Sequence, residues 1–249
     1  MQLSKRFAVH KIDTHTSGGV LSKGWYDSPN GLVLVKGNAP NCYEPYAEAI
    51  VSDILDALNL EHIRYHLEPS NKYPQIKSSL PHVSVCEQYK PNCQVLPLWQ
   101  YLDLLGGKDY WNLFLKSPIS LTDVKTLLCI DAFVANTDRH LSNIEVEIYT
   151  TGTTLAPMFD FGASLGLTNP PNYAMGDKAK PFKETHSRQL HLIARYVPNK
   201  IQTKLSRQEA ATTVVRIIAD YVAYLPIDPT EELLHRMHYL DELFEWRQS

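Results

Sequence analysis

Cysteine is scarce in this chain of 249 residues, which has four, and no two of them are spaced as Cys-x-x-Cys. The absence of paired cysteines argues against a structural zinc site and favours a reduced, cytoplasmic setting. No apolar run approaches the 18 residues that a membrane helix needs, and the amino terminus is polar. We therefore expect neither a membrane span nor a signal peptide.

The chain also has no excess of positive charge. Its 24 Lys and Arg residues face 27 Asp and Glu residues, which gives a formal net charge of -3. Because no basic stripe stands out, direct binding of nucleic acid is not expected. Internal repeats and low-complexity tracts are missing as well, and the length suffices for one sizeable core.

The most informative stretch is residues 136–143, Asn-Thr-Asp-Arg-His-Leu-Ser-Asn, followed later by Phe-Asp-Phe-Gly at 159–162. It places Asp138, Asn143 and Asp160 in the order that phosphoryl transfer requires. One carboxylate orients the attacking hydroxyl and accepts its proton, while an amide oxygen and a second carboxylate hold Mg²⁺ against the phosphates. The pattern is typical of ATP-dependent kinases.

Local patterns predict how these side chains meet. Ser120–Ala135 has helical apolar spacing and begins with a capping-box arrangement. Residues 144–149 alternate as a half-buried strand, turn at Thr151-Gly152 and return through 154–158. This hairpin should bring Asp160 beside Asn143.

The first third of the chain predicts a lysine and glutamate pair. Pro29-Asn30-Gly31 is a hairpin signal, and the strand 32–36 that follows ends in Lys36, on the face of Leu32 and Leu34. A helix then runs from Glu44 to Asn59 with Pro in its first turn. A strand lysine followed by an early helix glutamate is the kinase order.

Residues 137–144 together with 159–162 resemble the HipA-like bacterial kinases. The order Asp-Arg-His-x-x-Asn is also similar to that of the phosphatidylinositol 3/4-kinases. The resemblance covers about residues 11 to 165. It implies an α+β, two-lobed protein-kinase-like fold of HipA or phosphatidylinositol-kinase type. We expect one domain over 1–249, with a β-rich N-lobe at about 1–90 and a helical C-lobe at about 91–249.

The resemblance also implies a role for each site residue. The catalytic residues would be Asp138, Lys36 and Glu48, the metal ligands Asn143 and Asp160, and the supporting residue His140. Lys36 would bind ATP, and Glu48 would position it, with Glu44 one turn earlier as the fallback. His140 would brace the loop by hydrogen bonding.

Two further segments are expected to bind ATP. Thr16, Ser17, Gly18 and Gly19 lie between apparent strands at 7–12 and 20–26, and glycines let backbone N–H groups approach phosphate oxygens. HipA-like kinases modify a hydroxyl in this loop, which implies autophosphorylation of Thr14, Thr16 or Ser17; the alternative is that these hydroxyls only cap the turn. Val83–Tyr89 resembles the hinge, where the backbone of Glu87 and Tyr89 would bind adenine.

The rest of the chain reads as a helical C-lobe. Helices are predicted over 98–105, ending at Gly106-Gly107, and over 207–224 and 230–246. Residues 167–186 occupy the place of an activation segment. Lys178, Lys180 and Lys183 in it are either solvated or in contact with an anionic substrate.

The function expected is therefore an ATP- and Mg-dependent serine/threonine protein kinase of HipA type. In this family the targets include translation factors, and an antitoxin-type partner is common. HipA-like proteins usually carry an additional amino-terminal subdomain, whereas we expect a minimal kinase core here. A phosphoinositide or other small-molecule kinase and a non-catalytic kinase-fold binding module remain as alternatives.

Overall fold

The computed structural model describes residues 21–89, 91–106, 109–168 and 186–248. The strands are β1 Lys23–Ser28, β2 Gly31–Lys36, β3 Tyr65–Pro69, β4 His82–Glu87, β5 Gln94–Pro97, β6 Glu145–Tyr149, β7 Gly152–Leu155, β8 Ile201–Gln202 and β9 Phe244–Glu245. The helices are α1 Glu44–Ala57, α2 Leu98–Leu104, α3 Tyr110–Lys116, α4 Leu121–Phe133, α5 His186–Ala194, α6 Arg207–Tyr221 and α7 Thr230–Leu243. None of the described helices is long and apolar enough to cross a membrane.

An antiparallel sheet of four strands, in the order β1-β2-β4-β3, forms the amino-terminal part. The hairpin between β1 and β2 lies where Pro29 and Asn30 predict it, with Ser28 opposite Gly31. Gly31 has a φ of 123°, a conformation that side chains disfavour. The turn fixes the register, so β1 continues to Ser28 and not to residue 26 as predicted. The predicted strand at 7–12 lies outside the described residues.

The two faces of this sheet differ in chemistry. The outer face buries a small apolar cluster made of Tyr26, Val33, Val35, Tyr73, Ile76, Val83 and Val85. The opposite face carries Lys36 and Ser84, and α1 packs against it. Side chains alternate along a strand, so the outer face holds an apolar cluster while the opposite face presents Lys36 and Ser84 to α1.

Helix α1 has Pro45 in its first turn, as predicted, and ends at Ala57 with Leu58 as its C-cap, close to the predicted end at Asn59. Asn59 has a φ of 55°, the left-handed conformation that closes many helices. The helix is buried on the sheet side and also on its far side, where Tyr221 donates a 2.6 Å hydrogen bond to Asp53. Contacts on both sides hold α1 in one position.

The remaining part is mainly helical and is organised around α4. Ile130 and Phe133 of this helix pack with α1, α6 and α7, whereas Leu127 and Leu128 pack with α2 and β6. The Ser120 hydroxyl caps α4 by accepting from the Asp123 backbone N–H at 3.3 Å, which confirms the predicted start. The predicted end at residue 135 is two residues late.

The last two helices are shorter than their apolar spacing predicts. The helix predicted over 207–224 ends at Tyr221 and continues as a 3₁₀ turn. The helix predicted over 230–246 ends at Leu243 because Phe244–Glu245 pairs in parallel with Ile201–Gln202. Pairing between strands so distant in sequence cannot be predicted from the apolar spacing of a helix.

Candidate active site

The centre of the cleft is a buried ion pair between β2 and α1. The Lys36 Nζ atom lies 2.5 Å from Glu48 Oε1, and the two residues are 7% and 1% exposed. The second Glu48 oxygen accepts a hydrogen bond from the Ser84 hydroxyl on β4. Because both carboxylate oxygens have donors, Glu48 holds the Lys36 side chain in a fixed direction. Of the two glutamates considered in the sequence, Glu48 is the one that contacts Lys36.

Lys36 also reaches the other half of the molecule. Its Nζ atom lies 3.0 Å from Asp160 Oδ1 and donates to the Tyr65 hydroxyl at 3.4 Å. Burial alone would lower the pKa of Lys36, but Glu48, Tyr65 and Asp160 raise it well above its ordinary value. Burial acts against the charge of Asp160 as well, and Lys36 nevertheless holds the pKa of Asp160 below its ordinary value. Both groups are therefore charged at neutral pH.

The backbone around Asp160 has an unusual shape. Asp160 adopts a φ of 62°, which costs energy for a residue other than glycine. Two residues later Gly162 lies against α1, where a Cβ atom would come within 3.0 Å of Glu44 Cβ. The glycine permits this close approach, and the approach places Asp160 opposite Lys36.

The side chain of Arg139, for which no role was predicted, anchors the loop 136–143 to α4. The Arg139 guanidinium is buried and makes two hydrogen bonds to Asp131 of α4, at 2.8 and 3.0 Å. Its third nitrogen donates to the backbone carbonyls of Asn143 and Phe159, at 2.7 Å each. One side chain thus joins α4, the loop and the segment that carries Asp160.

Further hydrogen bonds orient the two asparagine side chains of the loop. The Asn136 amide donates to Asp131 at 2.9 Å and accepts from the Asp138 backbone N–H at 3.1 Å. The Asn143 Nδ2 atom donates to the Asp138 carbonyl at 3.1 Å. With its nitrogen so held, the Asn143 amide directs its oxygen away from the Asp138 backbone.

Asp138 itself is exposed to solvent. Protein around the carboxyl group raises its pKa by desolvation, and Asp160 adds to this, whereas His140 and Arg139 lower it. His140 is exposed, and its backbone carbonyl accepts from the Asn143 N–H at 2.9 Å. No described residue hydrogen-bonds to its imidazole, so the bracing that we expected of His140 is supplied by the buried Arg139.

Residues 87–89 leave the sheet as an extended segment. The Gln88 N–H donates to the Leu32 carbonyl at 2.8 Å, which directs the backbone groups of Glu87 and Tyr89 to the opposite edge. The Tyr89 hydroxyl donates to the buried Glu147 carboxylate on β6. This contact ties the segment to the second sheet.

Other site residues from the sequence lie outside the described part of the chain. These are the phosphate-loop residues Thr16, Ser17, Gly18 and Gly19 and the activation-segment lysines Lys178, Lys180 and Lys183.

The oxygen ligands in the described part of the chain fit Mg²⁺ that is bound together with a nucleotide. In the described residues no group of three or more His, Cys, Asp and Glu side chains could hold a metal alone. Protein sites for Mg²⁺ usually supply one or two carboxylates and leave the other positions to phosphate and water. Asp160 and the Asn143 amide oxygen match that need, and Lys36 supplies a cation for phosphate.

The chain was compared with known proteins in sequence and in structure. No protein-family model and no curated protein matches its sequence. Its structure is similar to the Helicobacter pylori proinflammatory kinase CtkA, with a TM-score of 0.53, 14% identity, and coverage of 94% of this chain and 91% of that one. It is also similar to HipA of Shewanella oneidensis MR-1, solved in complex with HipB and operator DNA. That match has a TM-score of 0.52, 13% identity and coverage of 90% of this chain but 63% of HipA.

These likenesses show the fold. The chain has a HipA-like kinase fold of mixed α and β structure, with a sheet-rich amino-terminal part followed by helices.

Proposed function

We propose that the chain is an ATP- and Mg-dependent serine/threonine protein kinase of HipA type, which transfers the γ-phosphate to a protein hydroxyl. One observation carries the proposal. The Lys36 ammonium contacts Glu48 and Asp160 together, so the phosphate-binding cation, its positioning carboxylate and a metal-binding carboxylate share one point of the cleft. The kinase fold supports the same conclusion.

Each side chain has a distinct task in this proposal. Lys36 binds the phosphates and Glu48 keeps its ammonium in place. Asp138, exposed to the cleft, orients the acceptor hydroxyl and takes its proton. Asn143 and Asp160 hold Mg²⁺, which when bound neutralises charge on the transferred group.

The hinge is proposed to bind adenine through its backbone. Glu87 and Tyr89 direct their backbone groups to the same edge, which suits a base that both donates and accepts hydrogen bonds. The contact of Tyr89 with Glu147 fixes that edge relative to the floor of the cleft. ATP binding of this kind needs no specific side chain at either hinge position.

An antitoxin-type protein and a protein substrate are the proposed partners. HipA of Shewanella oneidensis is found with HipB and operator DNA, which supports an antitoxin-type partner for this chain. The proposed acceptor is a protein of the cytoplasm, with translation factors the first to test. Direct nucleic-acid binding is not proposed, given the net charge of -3.

The test uses ATP carrying a radioactive γ-phosphate, with Mg²⁺. The protein is incubated alone, with a cell lysate and with phosphoinositide vesicles, beside the Asp138→Ala variant. We expect the unaltered chain to transfer label to a lysate protein and the Asp138→Ala variant not to. Label on lipid alone would make the chain a lipid kinase, and ATP binding without any transfer would make it a binding module. Either outcome overturns the proposal.

A further inference from the structure

Helix α1 carries two residues that face away from the Lys36 pair. Tyr46 and Asp53 are seven residues apart, so they lie on the same side of the helix and about 10 Å apart along its axis. Glu48 lies between them in sequence but projects from the other side, where it contacts Lys36. The helix that positions Lys36 thus presents Tyr46 and Asp53 on its far side.

One short segment near the end of the chain contacts both of these residues. The Tyr221 hydroxyl, at the end of α6, donates a 2.6 Å hydrogen bond to the Asp53 carboxylate. Hydrogen bonds to a charged acceptor are the strong ones. Three residues later, the Tyr224 ring stacks on the Tyr46 ring, with 5.6 Å between centroids and 8° between planes. Two tyrosines therefore contact α1 at two points, one on each side of Glu48 in sequence.

Tyr46 also joins α1 to the sheet. Its hydroxyl forms a 2.9 Å hydrogen bond with Nδ1 of His82, the first residue of β4. His82 lies edge-on to Tyr224, with 5.2 Å between the ring centroids. Two residues further along β4, Ser84 donates a hydrogen bond to Glu48. The aromatic cluster of Tyr46, His82 and Tyr224 thus includes the strand that supplies the second donor to Glu48.

The segment that carries the two tyrosines is fixed to the other half of the active site. Ile218 of α6 belongs to the apolar core that also contains Ile130 of α4 and Phe161, the neighbour of Asp160. Closely packed cores of this kind deform little. The contacts of the two tyrosines therefore set the position of α1, and of Glu48 on it, relative to Asp160.

We propose that Tyr221 and Tyr224 are positioning residues for phosphate binding, which act through α1 on the pair of Glu48 and Lys36. The inference rests on the proposed function and adds two residues to it. The hydroxyl of one tyrosine and the ring of the other contact α1 on the side away from Lys36, so their effect reaches the ammonium only through the helix. A shift of about 1 Å in a positioned group can cost about 10²-fold, and Glu48 shifts whenever α1 does.

The first test measures the binding of Mg·ATP and of adenosine by calorimetry. Tyr221→Phe removes the hydroxyl and keeps the ring, whereas Tyr224→Leu removes the stacked ring. Substitutions that act on a ligand through an intervening element change its affinity about 2- to 30-fold, and we expect a loss of that size for ATP in each variant. Adenosine has no phosphate for Lys36 to bind, so its affinity should not change. The control is Tyr73→Phe, which removes a hydroxyl bound to the Glu68 carboxylate at 3.1 Å beside the outer face of the sheet and should not affect ATP.

A second test asks whether the effect passes through Glu48. Tyr221→Phe is combined with Glu48→Gln, and the ATP affinities of the two single variants, the double variant and the unaltered chain are compared as a cycle. Once Glu48 no longer pairs with Lys36 as a carboxylate, the loss of the Tyr221 hydroxyl should have little further effect. Losses that add in full would overturn the proposal. If Glu48→Gln does not fold, the comparison of ATP with adenosine decides.

The remaining outcomes separate this inference from the proposed function. An unchanged ATP affinity in either tyrosine variant would remove that tyrosine from the assignment. An equal loss for ATP and adenosine would mean a general effect on the fold and would overturn the proposal, with the proposed function left intact. Failure of the unaltered chain to bind Mg·ATP would overturn the proposed function, and this inference with it.

Discussion

Arg139 and Asp131 form a fully buried, two-fold hydrogen-bonded ion pair that joins helix α4 to the loop 136–143. The same guanidinium lies 4.9 Å from the Phe161 ring centroid, next to Asp160. The pair therefore ties the loop that carries Asp138, the proposed base, to the segment that carries Asp160. Neither residue of the pair contacts the cleft itself.

Arg139→Met should destabilise the protein strongly. It leaves the Asp131 carboxylate buried without its cation and removes the donor to two backbone carbonyls. Removal of one partner of a buried pair costs about 3–5 kcal/mol, which urea unfolding would measure. The free energy of unfolding of Arg139→Lys should lie between those of Arg139→Met and the unaltered chain, since a lysine cannot make two parallel hydrogen bonds to Asp131.

The control for this prediction is an exposed pair on the same chain. Arg64 contacts Asp56 at 2.8 Å, but its side chain is 78% exposed. Arg64→Met should change the free energy of unfolding by less than about 1 kcal/mol. A similar loss in both variants would contradict the special role given to Arg139.

Asp138→Ala should slow phosphoryl transfer while ATP affinity stays close to normal. A positioned base contributes about 10²–10⁴-fold, so a loss of at least about two orders of magnitude in kcat is expected. Single-turnover kinetics and calorimetric ATP binding are the two measurements. Glu231→Gln, at an exposed position in the first turn of α7, is the matched control. A loss confined to ATP binding would reassign Asp138 as a ligand.

Asp160→Asn should abolish Mg-dependent nucleotide binding. An amide cannot replace the charge of a carboxylate beside a divalent ion, and it also leaves Lys36 with one carboxylate partner in place of two. ATP binding would be measured with Mg²⁺ and with EDTA. The unaltered chain should show a large difference between the two conditions and the variant little. An equal response to Mg²⁺ in both proteins would remove Asp160 from the metal site.

Sequence patterns predicted those parts of the structure that depend on neighbouring residues. The hairpin before Lys36, the proline start of α1 and the Ser120 cap are local signals, and each lies where it was expected. The strand alternation also put Lys36 on the face that meets Glu48. Local order was enough to bring the lysine and its glutamate together.

Contacts between distant segments could not be found in the same way. Arg139 reads as an ordinary exposed base, and only the packing of α4 beneath the loop buries it against Asp131. The one hint in the sequence was Asp131, an acidic residue within the apolar second half of α4.

Glu44 has an environment that should make the stability of the protein depend on pH. Its Oε1 atom accepts a weak 3.4 Å hydrogen bond from the Ala39 N–H, and its buried Oε2 atom accepts no hydrogen bond from any described residue. Burial raises the pKa of Glu44 from 4.5 to about 7, and the charge of Glu48 one turn away adds to the effect. The folded protein therefore binds this proton more tightly than the unfolded chain.

The sign of the effect follows from that difference. The stabilisation by the neutral Glu44 is complete below about pH 4.5 and is lost as the pH rises through about 7. Glu44→Gln removes the ionisation, so the variant should match the unaltered chain near pH 5. At about pH 8 the variant should be more stable by about 1–2 kcal/mol, a value reduced for the partial exposure of the group.

Urea unfolding between about pH 5 and pH 8 tests this, with Glu61→Gln as the control. Glu61 is an exposed glutamate just beyond α1, so its removal leaves the buried carboxyl group in place. The Glu61 variant should therefore follow the unaltered protein at every pH, while the curve of the Glu44 variant diverges from it as the pH rises. Parallel curves for all three proteins would mean that Glu44 ionises near its ordinary pKa, and that solvent reaches the carboxyl group beside Gly162.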